Sequence, residues 1–175
     1  MNKYVVYTAI YGNKDVLKDP LHINKNFDYI CFTDNKDIKS NVWKIIHSDA
    51  VCKDPVRSAK IFKVKPHEYL QDYEISIWVD ANFLICSDLN QFVNLLGDQA
   101  NTLLFEHDQG RNCIYDEAEI ISLHGKDDPE IINKQVKKYK EEGYPEKNGL
   151  TANSILLRRH NEDDIKELMN LWWEE

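Results

Sequence analysis

Apolar residues in this chain follow two rhythms. Tyr29-Ile30-Cys31-Phe32 and Ile75-Ser76-Ile77-Trp78-Val79 are short, nearly unbroken apolar runs, the pattern of strands covered on both faces. On this basis strands are expected at residues 4–11, closed by Gly12-Asn13, and at 28–33, 42–47, 75–79, 102–106 and 154–157. Between them apolar positions recur at helical spacing. Pro55 opens a helix that runs towards Pro66, the second proline marking its end. Residues 89–96 form a short amphipathic helix stopped at Gly97, and residues 116–123, 129–142 and 162–173 read as further helices. Strands alternating with helices predict an α/β sandwich built on a mostly parallel sheet. No repeat or low-complexity linker interrupts the pattern, so one domain is expected over residues 1–175.

Composition narrows the partners. The chain carries 30 acidic and 22 basic residues, a formal charge of -8, which argues against a nucleic acid as the main partner. A nucleotide stays possible, because one bridging metal masks phosphate charge locally. No apolar run reaches membrane-spanning length, and Met1-Asn2-Lys3 leads straight into a strand instead of a signal peptide, so a cytoplasmic protein is expected. Cys31, Cys52, Cys86 and Cys113 form no C-x-x-C pair and read as reduced structural thiols. The chain lacks G-x-G-x-x-G, G-x-x-x-x-G-K and G-x-S-x-G, which removes the Rossmann, P-loop and α/β-hydrolase signatures.

Candidate chemistry gathers at expected strand ends. Asp80 and Asn82 follow the run at residues 75–79, at the carboxyl edge where open α/β sheets bind ligands. Two oxygen-bearing side chains there suit a hard divalent cation and its phosphates; the same pair also suits an ordinary turn. Thr8 and Ala9 lie late in the first strand, and Asp34 directly follows the second, placed to accept from a ribose hydroxyl or a base N–H. Arg57, Lys60 and Lys63 recur every three residues as a slowly drifting basic stripe, either a diphosphate contact or a solvated helix face. His107 and Arg111 follow the strand at residues 102–106 and could equally form a loop salt bridge with Glu106 or Asp108. Asp116 and Glu117 are a candidate catalytic acid pair, or acids favoured at a helix start by its dipole.

Six ordered blocks carry a resemblance: Tyr7-Thr8-Ala9-Ile10-Tyr11-Gly12, Cys31-Phe32-Thr33-Asp34-Asn35, Arg57-Ser58-Ala59-Lys60, Lys63-Val64-Lys65-Pro66-His67, Trp78-Val79-Asp80-Ala81-Asn82 and Arg111-Asn112-Cys113-Ile114-Tyr115-Asp116-Glu117-Ala118. Together they resemble the glycosyltransferase-like family long catalogued as a domain of unknown function, whose plant members are tied to cell-wall and mucilage polysaccharide. The resemblance runs from about Lys3 to Trp173. It implies a GT-A-like α/β/α sandwich, the nucleotide-diphospho-sugar transferase fold, and a D-x-D-like metal motif at Asp80 and Asn82. Mn²⁺ or Mg²⁺ is the implied cofactor, a nucleoside diphosphate sugar the donor, and a glycan or other hydroxyl compound the acceptor.

Two departures from the family pattern bear on activity. Asn82 stands where the second acid of the metal motif is usual, and the chain ends at Trp172-Trp173-Glu174-Glu175, where longer relatives are expected to continue. In the expected reaction Asp80 and Asn82 hold the cation on the leaving diphosphate while Arg57, Lys60 and Lys63 add fixed positive charge. Asp34 with Thr8 and Ala9 holds the nucleoside. His107, Arg111, Asp116 and Glu117, with residues 149–153 as a loop before the last strand, line the sugar or acceptor side. A non-catalytic nucleotide-sugar or carbohydrate-binding module and a carboxylate-pair hydrolase are the alternatives. Replacing Asp80 by asparagine is expected to remove metal dependence at little cost in stability.

Overall fold

The computed structural model describes residues 2–107 and 110–175. Six strands and six helices follow one another as β1 (Tyr4–Ile10), β2 (Phe27–Thr33), β3 (Lys44–His47), α1 (Pro55–Val64), α2 (Pro66–Tyr69), β4 (Ile75–Val79), α3 (Asn90–Leu96), β5 (Thr102–Glu106), α4 (Ile114–Leu123), α5 (Pro129–Glu141), β6 (Thr151–Arg158) and α6 (Asp163–Glu174). The sheet order is β3-β2-β1-β4-β6-β5. β1 runs parallel to β2 and β4, β2 runs parallel to β3, and β4 pairs antiparallel with β6. The fold is therefore mixed α/β with a mostly parallel sheet, as the alternation of elements predicts.

Two compact units divide the chain. One comprises residues 1–103 and 154–175, the other residues 104–153. In the first unit both sheet faces are covered, which is why its central strands carry apolar residues almost without alternation. Val6, Ile10, Phe27, Tyr29, Cys31, Ile77 and Val79 pack on one face with Leu89 and Leu96 around α3. On the other face Val5, Tyr7, Ala9, Tyr11, Ile30, Phe32, Trp78 and Leu156 meet Ile61 and Phe62 of α1. Val64 of α1 in turn packs on Ile165 and Met169 of α6. The second unit holds α4 and α5, packed on each other.

Element boundaries agree with the expected ones within a few residues, with two differences. Pro66 does not only end a helix; it stands at the first turn of α2, where its missing N–H costs nothing. Residues 151–153, expected in a loop, already belong to β6, and the neighbouring Leu150 carbonyl accepts the His107 N–H at 2.8 Å. No helix is long and apolar enough to cross a membrane among the described residues.

Candidate functional site

The carboxyl ends of β1 and β4 and one face of α1 enclose a cleft of about 250 Å³. Ala9, Tyr11, Lys14, Ala59, Lys60, Lys63, Trp78, Asp80 and Asn82 are among its walls. Local sequence explains how α1 comes to stand there. Asp54 caps the helix by accepting the Val56 N–H at 2.9 Å, Pro55 occupies the first turn, and Ser58 Oγ, fully buried, ties both the N–H and the carbonyl of Cys52. Gly12 makes the turn after β1 with φ +61°, and a Cβ there would lie 2.7 Å from the Pro55 ring, so only glycine lets the strand end approach the helix start.

Asp80 is the hub of the cleft. Its Oδ1 accepts from Trp78 Nε1 at 2.7 Å and from Lys63 Nζ at 3.1 Å. Trp78 and Asp80 are two apart at the end of a strand and so share a face, which lets the indole reach the carboxylate. The Lys63 ammonium also lies 5.5 Å from the Trp78 ring centroid, within cation–π range. Burial holds the Lys63 amine below the ordinary lysine range, and the Asp80 carboxylate opposes that shift. This ion pair, with side chains 15 % and 33 % exposed, bears on the expectation that Asp80 could lose its charge at little cost: removing the carboxylate would leave a largely buried ammonium without it.

The basic stripe splits on contact with the structure. At about 100° per residue, steps of three turn the helix back by about 60°, so Arg57 and Lys63 point about 120° apart. Lys60 and Lys63 both line the cleft, whereas Arg57 is exposed and is not among the residues lining it. Ala9 lines the cleft, whereas Thr8 is buried at 2 % exposure between Tyr7 and Ala9, on the opposite face of β1, and its Oγ1 has no hydrogen-bond partner. Asp34, exposed just after β2, accepts the Gly12 N–H with both oxygens at 3.2 Å. Asn82 is exposed, and its backbone carbonyl accepts from Lys18 Nζ at 2.6 Å.

In the second unit Arg111 pairs with Glu117 at 3.0 Å, both side chains largely covered. Asp116 is exposed in the first turn of α4, where the helix dipole favours an acid. Asp108, a possible partner for His107 or Arg111, lies outside the described residues. Among the described residues no group of three or more histidine, cysteine, aspartate or glutamate side chains is placed to hold a metal ion.

The family model for the TOD1/MUCI70, glycosyltransferase-like domain matches residues 1–175. The chain belongs to that family. A TOD1/MUCI70 domain is described as glycosyltransferase-like, and this makes a transferase role of glycosyltransferase type the functional frame for the cleft. No curated protein and no solved structure matches the chain.

Trp78 and Lys14 line the cleft and Lys18 reaches the Asn82 carbonyl, and none of the three was a candidate from sequence, although Trp78 was visible two positions before Asp80 on the same strand face. Tyr7 and Arg158, which bond to each other and to the Lys63 carbonyl, were not candidates either. Arg158 had one signal, a charged residue directly after the apolar run Ile155-Leu156-Leu157.

Proposed function

We propose that this TOD1/MUCI70 domain transfers a glycosyl group from a nucleoside diphosphate sugar to a hydroxyl acceptor, in a GT-A-type arrangement, with the donor diphosphate in the cleft between α1 and the ends of β1 and β4. One observation carries the reading: Lys60, Lys63, Asp80 and Asn82 converge on the same cleft at the carboxyl edge of parallel strands. That edge is where open α/β sheets take ligands, and two ammonium groups there suit a diphosphate.

Departure of the diphosphate is the hard step, because negative charge grows on its oxygens. Lys60 and Lys63 offer fixed positive charge to those oxygens, the kind of preorganised stabilisation that usually dominates catalysis. Lys63 is held by Asp80 and Trp78 and so needs little reorganisation to act. Asp34, which holds the Gly12 N–H after β1, is proposed to accept from the nucleoside, with Ala9 lining the cleft. Of the two acids in the second unit Glu117 is engaged by Arg111, so Asp116 is the general-base candidate of that unit, with His107 in the same candidate set.

A divalent metal is also part of the proposal. Among the described residues only Oδ1 of Asp80 is hydrogen-bonded, and Asn82 would add an amide oxygen, so these two side chains would hold a cation through few protein ligands and do not amount to an all-protein cage. Mn²⁺ or Mg²⁺ held there supplies Lewis acidity to the leaving group.

Release of nucleoside diphosphate from a panel of donor sugars, with and without Mn²⁺ and simple glycan acceptors, tests the proposal. Release that is lost in Asp80→Asn and Lys63→Met supports it. Nucleoside diphosphate binding without turnover on any donor would instead favour a binding module, the reading that Asn82 in place of a second carboxylate suggests.

A further inference from the structure

Arg158 is a large side chain almost wholly enclosed, 1 % exposed at the end of β6. Its Nη2 donates to Tyr7 Oη and to the Lys63 carbonyl at 2.7 Å, and its Nη1 meets Met169 Sδ at 2.9 Å. All of these partners are neutral. No carboxylate lies within ion-pair distance of it among the described residues. A guanidinium keeps its proton in proteins, so a full positive charge is enclosed here without a counter-ion. Such burial is unfavourable, and an apolar side chain of similar volume would often leave the fold as stable or more so.

The partners indicate what the charge does. Lys63 is the second-to-last residue of α1, so its carbonyl belongs to the negative end of the helix dipole, and the guanidinium fixes that end. Two routes then lead from Arg158 to Asp80. One runs through Lys63, from its carbonyl on Arg158 to its ammonium on Asp80. The other runs through Tyr7, whose ring meets Trp78 edge-on with centroids 5.2 Å apart, and on through Trp78 Nε1 to Asp80. Tyr7 Oη also donates to the Lys63 carbonyl at 3.3 Å, so these two groups stay paired when the guanidinium is removed.

We propose that Arg158 is a positioning residue for anion binding in the cleft: its uncompensated buried charge anchors Lys63 from behind and raises the positive potential where a diphosphate sits. The assignment rests on the diphosphate reading of that cleft. Inorganic pyrophosphate is the probe, since it carries the diphosphate without base or sugar.

Calorimetric titration of pyrophosphate, alongside thermal melts, is run on the parent and on Arg158→Met, Arg158→Gln and Arg158→Lys. The two neutral variants are expected to melt within a few degrees of the parent, or above it, yet to bind pyrophosphate at least about tenfold more weakly. Arg158→Lys puts an amine in the same enclosure, where burial without a counter-ion favours its neutral form, so it is expected to bind as weakly as the two neutral variants. Neutral variants that bind as the parent does overturn the assignment. If neither neutral variant folds, the guanidinium is a structural tie and the assignment falls. A parent that binds neither pyrophosphate nor any nucleoside diphosphate ends the reading of the cleft itself, whereas a parent that binds equally with its neutral variants ends the Arg158 assignment alone.

Discussion

Asp80→Asn keeps the shape of the side chain and removes the charge that Lys63 faces. Trp78 Nε1 can still donate to the amide oxygen, so the loss isolates the 3.1 Å contact with the ammonium. At that separation and an effective dielectric near 20 the gross attraction is about 5 kcal/mol. Water reaches part of the pair, since a third of the Asp80 side chain is exposed, and desolvation offsets much of the attraction. What remains is about 1.5–3 kcal/mol, the usual worth of a hydrogen bond to a charged group. For a chain of 175 residues this is roughly a 3–12 °C fall in Tm. Urea denaturation of Asp80→Asn, Lys63→Met and the double variant measures the coupling directly. Lys63→Met removes the stranded charge, so the double variant is expected to be more stable than the sum of the single losses implies, by about 1–2 kcal/mol. Losses that add within about 0.3 kcal/mol would refute the reasoning, because the two groups would then not act as a pair.

Lys60→Ala is expected to weaken nucleoside diphosphate binding roughly fivefold, the about 1 kcal/mol of an exposed charge contact, while Arg57→Ala leaves it unchanged; equal losses by titration would contradict the split of the stripe. Gly12→Ala combines a left-handed φ of +61° with a Cβ 2.7 Å from Pro55, and a loss of about 2–4 kcal/mol in urea unfolding is expected. Burial pushes the Tyr7 phenol up to about 12, with the Arg158 charge opposing it. The folded state therefore keeps this proton where the unfolded chain, ionising near ~10, loses it; the Tyr7 contribution is intact below about pH 10 and fades towards pH 12, worth up to roughly 2–3 kcal/mol. Tyr7→Phe should flatten that part of the alkaline decline in a series of urea melts, and an unchanged decline would contradict the assignment.

The parts of this fold that were legible in sequence are those where burial writes itself into a continuous run. β2 and β4 lie between two apolar layers, and their runs announced both the strands and the parallel sheet. The antiparallel course of β6 beside β4 left no trace, because a strand covered on both faces has the same composition in either direction. Asp80 was legible from its place at the end of such a strand. Its partnership with Lys63 was not, since helical spacing grouped Lys63 with Lys60 and Arg57, and only packing decided which of the three faces inward. Arg158 was the hardest, being one of two adjacent arginines, with Lys63 and Tyr7 lying 95 and 151 residues away along the chain.

The central claim is that the cleft at the ends of β1 and β4 holds a nucleoside diphosphate. Thermal melts of the parent chain against the uridine, guanosine, adenosine, cytidine and thymidine diphosphates, each with and without Mn²⁺, test it most directly. At least one of them is expected to stabilise the protein, by about 2.7 kcal/mol at a hundred times its Kd, with the gain lost in Lys63→Met. A panel in which no diphosphate shifts the melt under either condition would contradict the account.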